Sequence, residues 1–327
     1  MSDQKERDKT TSEAKGLSSV EKAAAKLGEG ATFALRPPVE DVSLAPASTR
    51  TELPSADATV VREAIESKSE PPAKKGAGSD SSGRTSKHVK IDLDRLQLQG
   101  MVTPFAERSL IAEEFRLVKR PLLLKAFDTE ATTGKSAKLI MVASSRPGEG
   151  KTFCAISLAM SIASERDLTV LLIDADVAKP DVPKSLGFKA DRGLVDLIQD
   201  ESLELSDVML RTQLDNLSIL PAGRPHHLAT ELLASERMGR IVKDIVERYP
   251  ERIIVLDSPP VLLSSIAGVL ALHVGQILYV VEAEKTTETA LDNALPLVSS
   301  CKNINLLLNK SHAVGESDRF GYYSYYA

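Results

Sequence analysis

Short apolar runs alternate with longer stretches of helical periodicity through the second half of the chain. The runs are bounded by charged or turn-forming residues, which is typical of strands that are buried on both faces. Regular alternation of strand and helix predicts an α/β fold with a mostly parallel sheet covered by helices on both faces. The predicted strands are 139–143, 169–173, 217–220, 252–256, 276–281 and 305–308, and the predicted helices include 230–248 and 287–301.

A further helical pattern extends over residues 106–120, before the first of these strands. Its apolar and polar residues recur at spacings of three and four, and Pro121 is expected to end or kink the helix. The polar side is typical of a solvated face with weak ion pairs, but it also fits a contact between subunits. The apolar side holds Leu110, Ile111, Phe115 and Val118, and the polar side holds Glu113, Arg116, Lys119 and Arg120.

Residues 1–88 have a composition that differs from that of the rest of the chain. They contain one aromatic residue, Phe33, and are rich in Ser, Thr, Pro, Lys and Glu. Such a stretch buries too little apolar surface to offset the entropy of ordering, so we predict a largely disordered region followed by a folded domain over 89–310. Apolar residues at helical spacing predict one exception, a possible helix over 17–27, which is either transient or a docking helix for a partner.

Charge and cysteine content argue against several classes of function. The net charge is −5 and the pI is near 5.7, which is not the basic signature of a protein that binds nucleic acid. Cys154 and Cys301 form no disulfide framework, which favours a reducing, cytoplasmic location. The N-terminus lacks the apolar core of a signal peptide, and no apolar run reaches the roughly 18 residues that span a membrane.

The stretch after the first predicted strand has the residues of a phosphate-binding loop. It matches the pattern G-x-x-x-x-G-K-[ST] except at the first place, where Ser145 stands for Gly. Glycines let backbone N–H groups approach phosphate oxygens, Lys151 adds a positive charge, and the Thr152 hydroxyl is placed to ligate Mg²⁺. We therefore predict a P-loop NTPase that binds ATP and Mg²⁺, the alternative being an ordinary glycine-rich turn. The predicted nucleotide-binding residues are Ser145, Arg146, Pro147, Gly148, Glu149, Gly150, Lys151, Thr152 and Phe153.

Polar side chains follow three of the other predicted strands. Asp174 and Asp176 follow one strand, and Asp257 follows another. Ligands bind at the carboxyl ends of parallel strands, so these carboxylates are expected beside Lys151. Asn309, after the last strand, either contacts the nucleotide base or is a turn residue. The predicted catalytic residues are Lys151, Asp174, Asp176 and Asp257, and the predicted magnesium ligands are Thr152, Asp174 and Asp257.

Tyrosines are concentrated at the C-terminus. The chain has six, and the final six residues contain Tyr322, Tyr323, Tyr325 and Tyr326. The stretch 311–327 has no helical or strand pattern, and a packed core does not place its aromatic residues on a flexible end. We predict that these phenols are phosphate acceptors, the alternative being a tail that packs on the surface or aids binding.

Residues from about 110 to 327 resemble the bacterial tyrosine kinases, most closely the tyrosine autokinases found with exopolysaccharide and exosortase (PEP-CTERM) loci. The resemblance rests on 144–152 as Walker A, 172–176 as Walker A′, 255–260 as Walker B, and on the tyrosine tail. It implies ATP-dependent autophosphorylation of that tail, in trans within a homo-oligomer. It also implies a role in the regulation of exopolysaccharide synthesis or export.

Two positions depart from the pattern of this family. A stretch of the first helix resembles the family's oligomerisation helix, E-x-x-R-x-x-R, which implies that Glu113, Arg116 and Lys119 form a subunit contact in a ring. Lys119 replaces the final Arg and lacks its bidentate fork. Ala178 stands where the family has another Arg, whose role at the phosphates passes to Lys179 or is absent.

The resemblance also implies partners. The family pairs with a membrane chain-length-determinant protein, a co-polymerase whose cytoplasmic tail activates the kinase. That partner is expected to be a separate polypeptide here, because the sequence shows no transmembrane segment. A cognate tyrosine phosphatase is expected to reverse the modification, and the kinase is expected in the cytoplasm, peripheral at the inner face of the membrane.

The expected reaction is transfer of the γ-phosphoryl group of ATP to a phenol through positioning and charge neutralisation. The phenol has a free pKa of about 10 and must lose its proton, for which Asp174 is favoured as the base and Asp176 is the alternative. The competing function is a switch ATPase of the partition and division-site type, which shares the fold. Its loop carries a Lys at the place of Arg146, so Arg followed by Pro147 argues against it.

Overall fold

Residues 86–104, 109–128 and 137–311, together with the backbone of Thr32–Ala34, are described by the computed structural model. They all belong to one compact unit. The possible helix over 17–27 and the four tyrosines of the tail lie outside the described residues.

One sheet organises the described part of the chain. Its nine strands are β1 (Thr32–Ala34), β2 (Lys87–His88), β3 (Leu139–Ser144), β4 (Thr169–Asp174), β5 (Leu210–Arg211), β6 (Leu217–Leu220), β7 (Arg252–Asp257), β8 (Gln276–Glu282) and β9 (Ile304–Asn309). Their order in the sheet is β1-β9-β8-β3-β7-β4-β6-β5-β2, and every neighbouring pair is parallel except β5 with β6. The predicted mostly parallel sheet is confirmed.

Helices connect the strands and cover the sheet. They are α1 (Leu93–Leu98), α2 (Leu110–Ala126), α3 (Lys151–Ala163), α4 (Val182–Ser185), α5 (Leu194–Gln199), α6 (Leu205–Val208), α7 (Ala229–Leu233), α8 (Glu236–Arg248), α9 (Ile266–Leu270) and α10 (Glu288–Ala294). A 3₁₀ helix, Leu295–Val298, follows α10 directly.

The central strands β3, β7 and β8 are buried along their whole length. Successive side chains of a strand point to opposite faces of the sheet, so alternate side chains of these strands belong to two separate apolar clusters. Met141 and Leu256 belong to one cluster, whereas Ile140 and Val255 belong to the other, together with residues of α2 and α3. This double burial holds the carboxyl ends of β3, β4 and β7 at one edge of a rigid platform.

Two predicted helices are shorter than their periodicity indicates. The stretch 230–248 forms α7 and then α8, because Ser235 caps the second helix by accepting a hydrogen bond from the N–H of Met238 at 3.3 Å. The stretch 287–301 forms α10 and then a 3₁₀ helix that contains Pro296. Since proline cannot donate the backbone hydrogen bond of an α-helix, the α-helical part ends before it.

Helix α2 differs from its prediction at both ends. Pro121 does not end the helix, which continues to Ala126. Leu122 and Ala126 are buried, and their burial offsets the hydrogen bond that proline cannot donate. Leu110, predicted on the buried side, is 51% exposed, because the helix begins there, directly after the capping residue Ser109.

Two short strands lie within the stretch for which composition predicts disorder. Strand β1 pairs with β9, and β2 pairs with β5, both in parallel. Both occupy outer positions of the sheet, where unpaired backbone groups accept an added strand. Composition does not detect such pairing, because the bonds are made by the backbone.

Candidate active site

The predicted phosphate-binding loop connects β3 to α3 at the carboxyl edge of the sheet. Gly148 and Gly150 have φ angles of +86° and +98°, in the left-handed region that favours glycine. Gly150 is the N-cap of α3 and Lys151 is its first residue, so the free N–H groups of the helix open onto the loop. This arrangement binds anions, because the N-terminus of a helix carries partial positive charge.

Glu149 lies inside the loop and braces it. It is 3% exposed, and its carboxylate accepts hydrogen bonds from the N–H of Arg146 at 2.7 Å and from the Thr286 hydroxyl. Ser145 occupies the first place of the motif and is buried, with its hydroxyl 2.9 Å from that of Tyr279. The serine therefore fits where the motif has glycine, because its side chain is directed to Tyr279 on β8.

The end of β9 lies against the same loop. The side-chain Nδ2 of Asn309 donates to the carbonyl of Glu149 at 2.9 Å, and Nζ of Lys310 donates to the carbonyl of Gly148 at 2.7 Å. Asn309 is 4% exposed. The structure therefore places Asn309 at the loop, while its contact with a nucleotide base stays a prediction.

Two buried carboxylates face each other at the ends of neighbouring strands. Asp174 on β4 and Asp257 on β7 are register partners and are 0% and 1% exposed. The Thr152 hydroxyl donates to Oδ2 of Asp257 at 2.7 Å. Asp174 accepts hydrogen bonds from the N–H of Asp176 at 3.2 Å and of Val182 at 3.1 Å. The structure thus brings the three predicted magnesium ligands to one place beside the loop.

Burial dominates the electrostatics of these carboxylates. Burial, and next the charge of Asp257, raises the pKa of Asp174 to about 8. Burial raises the pKa of Asp257 to about 7, although the hydrogen bond from Thr152 and the charge of Lys151 act in the opposite direction. Burial likewise raises the pKa of Asp176. The site therefore retains protons near neutral pH, and a nearby cation would lower these pKa values.

One carboxylate oxygen supports a metal at this place. Oδ1 of Asp257 is buried and has no hydrogen-bond partner among the described residues. Leaving such an oxygen unpaired costs free energy, and Mg²⁺ takes oxygen ligands. No group of three His, Cys, Asp or Glu side chains in the described ranges forms a metal cage by itself. That also fits Mg²⁺, which proteins hold through one or two carboxylates together with phosphates and waters.

Asp176 is more accessible than the other two aspartates. It is partly exposed, and its Oδ1 accepts a hydrogen bond from the N–H of Lys179 at 3.1 Å. The Lys179 side chain is 79% exposed, and its ammonium lies 3.3 Å from Asp181. The structure therefore pairs Lys179 with Asp181 at the surface, and a role at the phosphates in place of an arginine stays a prediction.

Comparison with known proteins assigns the family. The sequence pattern of the family described as "AAA domain" matches residues 137–313, more than half of the chain. The tyrosine-protein kinase YwqD of Bacillus subtilis (strain 168) is 25% identical over 218 residues, which cover 66% of this chain and 87% of YwqD. This chain belongs to the bacterial tyrosine kinases of the AAA-domain family.

Two further proteins extend the comparison. The succinoglycan biosynthesis transport protein ExoP of Rhizobium meliloti (strain 1021) is 30% identical over 238 residues. This aligned region covers 70% of the present chain but only 29% of ExoP. The kinase domain of the Escherichia coli tyrosine kinase ETK superposes with a TM-score of 0.54 at 21% identity, over 68% of this chain and 96% of that domain. At this identity the likeness shows the fold, which is the predicted P-loop α/β fold.

One charged residue of α2 does not lie on the predicted polar face. In the kinase, Lys119 is 8% exposed, and its Nζ donates to the carbonyl of Ser161 at 2.7 Å and lies 2.6 Å from Glu165. It was expected on the polar face with Glu113 and Arg116, which instead form an exposed ion pair with each other. The lysine stem is buried between α2 and α3 while its ammonium reaches the last turn of α3. The subunit contact of these three residues stays a prediction.

Three residues of the site had no place in the sequence-based prediction. Tyr279 contacts Ser145, Thr286 contacts Glu149, and Lys310 contacts the loop carbonyl described above. Only Lys310 carried a signal, because it directly follows the predicted Asn309.

The remaining predictions concern the tail and the membrane. The tyrosines Tyr322, Tyr323, Tyr325 and Tyr326 lie outside the described residues, so their role stays a prediction. Within the described ranges, no helix has both the length and the apolar character needed to cross a bilayer.

Proposed function

We propose that this kinase transfers the γ-phosphoryl group of ATP to tyrosines at its own C-terminus. One observation carries the proposal: the buried carboxylate of Asp257 bonds Thr152 through one oxygen and has no partner for the other among the described residues. This carboxylate lies beside a loop with anion-binding geometry and fits a magnesium nucleotide. The kinase name of the relative YwqD supports tyrosine as the acceptor.

The roles of the site residues follow from their positions. The loop N–H groups and Lys151 bind the β- and γ-phosphates, and Thr152, Asp174 and Asp257 hold Mg²⁺. When bound, this ion neutralises charge on the phosphate oxygens. Because Asp174 and Asp257 are fixed on neighbouring buried strands, they need no reorganisation when the nucleotide binds.

In the proposed reaction, the bond between the γ-phosphorus and its bridging oxygen breaks, and a bond from phosphorus to the phenolic oxygen forms. ADP leaves with the electron pair of the broken bond, and the phenolic proton passes to a carboxylate. Exposure favours Asp176 as this base, because one of its oxygens accepts a backbone N–H and the residue is partly open to solvent. Asp174, which the sequence-based prediction favoured, is fully buried, and both of its oxygens accept backbone N–H groups.

The proposed acceptor tail, 311–327, continues from the kinase domain, 89–310. Ser311 follows Lys310, which contacts the loop, so the tail leaves from the rim of the site. Tyr322 lies roughly ten residues further on, which gives an extended reach of about 35 Å. A tail of this reach can enter a neighbouring site, so we propose phosphorylation in trans within a ring-like homo-oligomer, with the exposed Glu113 and Arg116 at the subunit contact.

The proposed process is the regulation of exopolysaccharide synthesis or export, which the name of ExoP supports. A separate membrane co-polymerase would activate the kinase at the inner face of the membrane, and a cognate phosphatase would reset it. Phosphorylation of four tail tyrosines would add a charge of about −6 to −8, which repels the tails and favours disassembly of the ring.

Incubation of the purified chain with γ-labelled ATP tests the proposal. Label on tyrosine is expected, and mass spectrometry should place it on the last peptide. Replacement of all four tail tyrosines by Phe should remove the label, whereas Tyr249→Phe, a matched change outside the tail, should not. Release of free phosphate alone would indicate a switch ATPase of the partition and division-site type, and neither product would indicate a degenerate site; both results would overturn the proposal.

A further inference from the structure

Two residues at the end of β9 hold the phosphate-binding loop from outside its motif. We propose that Asn309 and Lys310 are positioning residues, which orient the N–H donors of the loop toward the phosphates of a bound nucleotide. The inference rests on the proposed nucleotide site and extends it to residues more than 150 positions away in sequence.

The geometry of the peptide unit links these contacts to phosphate binding. A trans peptide unit is planar, so its carbonyl oxygen and its N–H point in opposite directions. Lys310 holds the Gly148 carbonyl, which turns the N–H of Glu149 to the other side of the chain. Asn309 holds the Glu149 carbonyl and turns the N–H of Gly150 in the same way. Each contact therefore orients one donor of the loop before a ligand arrives.

Asn309 is fixed tightly enough to act in this way. It is 4% exposed, and it pairs with Glu282 in the register between β9 and β8. Its backbone carbonyl accepts a hydrogen bond from the N–H of Ala283 at 2.9 Å. A Cβ atom added to Gly150 would lie 2.1 Å from Nδ2 of Asn309, so the amide is in direct contact with the loop backbone. The second glycine of the motif is therefore required by Asn309 as well as by its own φ angle.

Lys310 is directed to the loop by its backbone and by an anchor. Its φ angle is +57°, a left-handed conformation that is uncommon for residues other than glycine. Its ammonium lies 3.2 Å from the mostly buried carboxylate of Glu282, which also pairs with Lys285 at 2.8 Å. Burial acts to raise the pKa of Glu282, but hydrogen bonds from Lys285 and Lys310 bring it below its usual value. The carboxylate thus stays charged and holds Lys310 beside the Gly148 carbonyl.

A ligand without a base separates loop positioning from a contact with the nucleotide base. A residue that contacts the base affects only nucleotides, whereas a residue that orients the loop affects every ligand that uses the loop. Inorganic pyrophosphate carries the phosphates without the base, so its affinity reports the loop alone.

Calorimetric titration of the full-length protein with ADP, and with pyrophosphate in competition, tests the inference. Asn309→Ala should lower the affinity for both ligands by about tenfold, because a buried hydrogen bond that orients the loop is lost. Lys310→Met should lower both affinities by about threefold. The effect is smaller because this side chain is partly exposed. Lys310→Arg keeps donors and charge and should restore most of the affinity.

Two matched variants separate positioning from general weakening. Asn303→Ala removes the same kind of bond at the other end of β9, where Nδ2 of Asn303 donates to the Gly275 carbonyl at 2.9 Å. Lys302→Met removes an equal charge at an exposed position before the amino end of β9, at the opposite end of this strand from Lys310. Both variants should bind ADP and pyrophosphate as the wild type does.

The outcomes distinguish this inference from the proposed function. If the wild type binds ADP and both loop-facing variants bind it equally well, the positioning role is wrong and the proposed function stands. If Asn309→Ala loses affinity for ADP but keeps that for pyrophosphate, the residue contacts the base and the inference is again overturned. If the wild type binds neither ligand, the proposed function and the inference fail together.

Discussion

The carboxyl edge of the sheet and the outer face of α2 both carry charged side chains, but in opposite environments. Asp174 and Asp257 at the sheet edge are 0% and 1% exposed, whereas the side chains of Arg116 and Glu113 on α2 are 53% and 46% exposed. Burial makes charge energetically costly and shifts pKa values, while water screens the exposed pair. Substitutions at the sheet edge should therefore have large effects, and substitutions on the outer face of α2 should have small ones.

The largest expected effect is on phosphoryl transfer. Lys151→Met should lower the initial rate of tyrosine labelling by about 100-fold or more, because the positive charge at the phosphates is lost. Lys243→Met, on the exposed side of α8, is the control and should label at the wild-type rate. A rate within about twofold of the wild type for Lys151→Met would show that the sheet edge is not the site of transfer.

The second effect concerns the pH dependence of stability. The pKa of Asp257 in the folded state, about 7, lies above its value in the unfolded state. Between roughly pH 4 and 7 the folded state therefore binds more protons than the unfolded state, and its stability falls as the pH rises through this range. Asp257→Asn removes this ionisation and should raise the Tm of the nucleotide-free protein by about 5 °C at pH 8 and by little at pH 4.5. Scanning calorimetry at both pH values measures the difference.

An exposed aspartate supplies the control for that experiment. Asp244 on α8 is 55% exposed in its pair with Arg248, and Asp244→Asn should change the Tm little at either pH. An equal Tm change for Asp257→Asn at both pH values would show that its ionisation does not limit stability.

Lys119 tests whether burial or location on α2 decides the effect. Lys119→Ala should lower the free energy of unfolding by about 1–3 kcal/mol, because the Ser161 carbonyl and Glu165 lose a charged donor. Urea denaturation measures this, with the exposed neighbour Arg120→Ala as the control. Equal stability of the two variants would mean that the buried lysine contributes no more than a surface charge.

The smallest expected effect on stability is at Arg116. Arg116→Ala should change the free energy of unfolding by less than about 0.5 kcal/mol, because an exposed ion pair contributes little. Its proposed role is in assembly, so sedimentation at equal concentration should show smaller assemblies than those of the wild type. An unchanged distribution of assemblies would place the subunit contact elsewhere.

The sequence predicts the sheet edge well, because the chemistry of phosphate binding restricts residue types and their spacing. Strand ends place Asp174 and Asp257 beside the loop whatever the details of the connections. Tyr279 could not be found in this way, since it meets Ser145 across 134 positions and no local pattern records that contact. The same holds for Thr286, whose partner Glu149 lies 137 positions away.

On α2, the charge of Lys119 led to a wrong prediction that the helical periodicity alone would have avoided. Lys119 lies four residues after Phe115 and three before Leu122, both buried, so the helical period places it on the packed side. Its charge indicated the opposite side. That indication was wrong, because a lysine stem is long enough to be buried while its ammonium reaches a distant carbonyl. The predicted helix end at Pro121 was also wrong, because the packing of the residues that follow outweighs one missing hydrogen bond.

Strand register at β4 and β7 has a consequence for how ligand occupancy can be observed. Because Asp174 and Asp257 are opposite each other on adjacent strands, the backbone spacing of the sheet prevents them from moving apart. The two carboxylates therefore repel each other whenever both are ionised, and a bound cation and nucleotide would relieve that repulsion. Thermal denaturation with and without these ligands should thus report binding directly, even in a variant that transfers no phosphate.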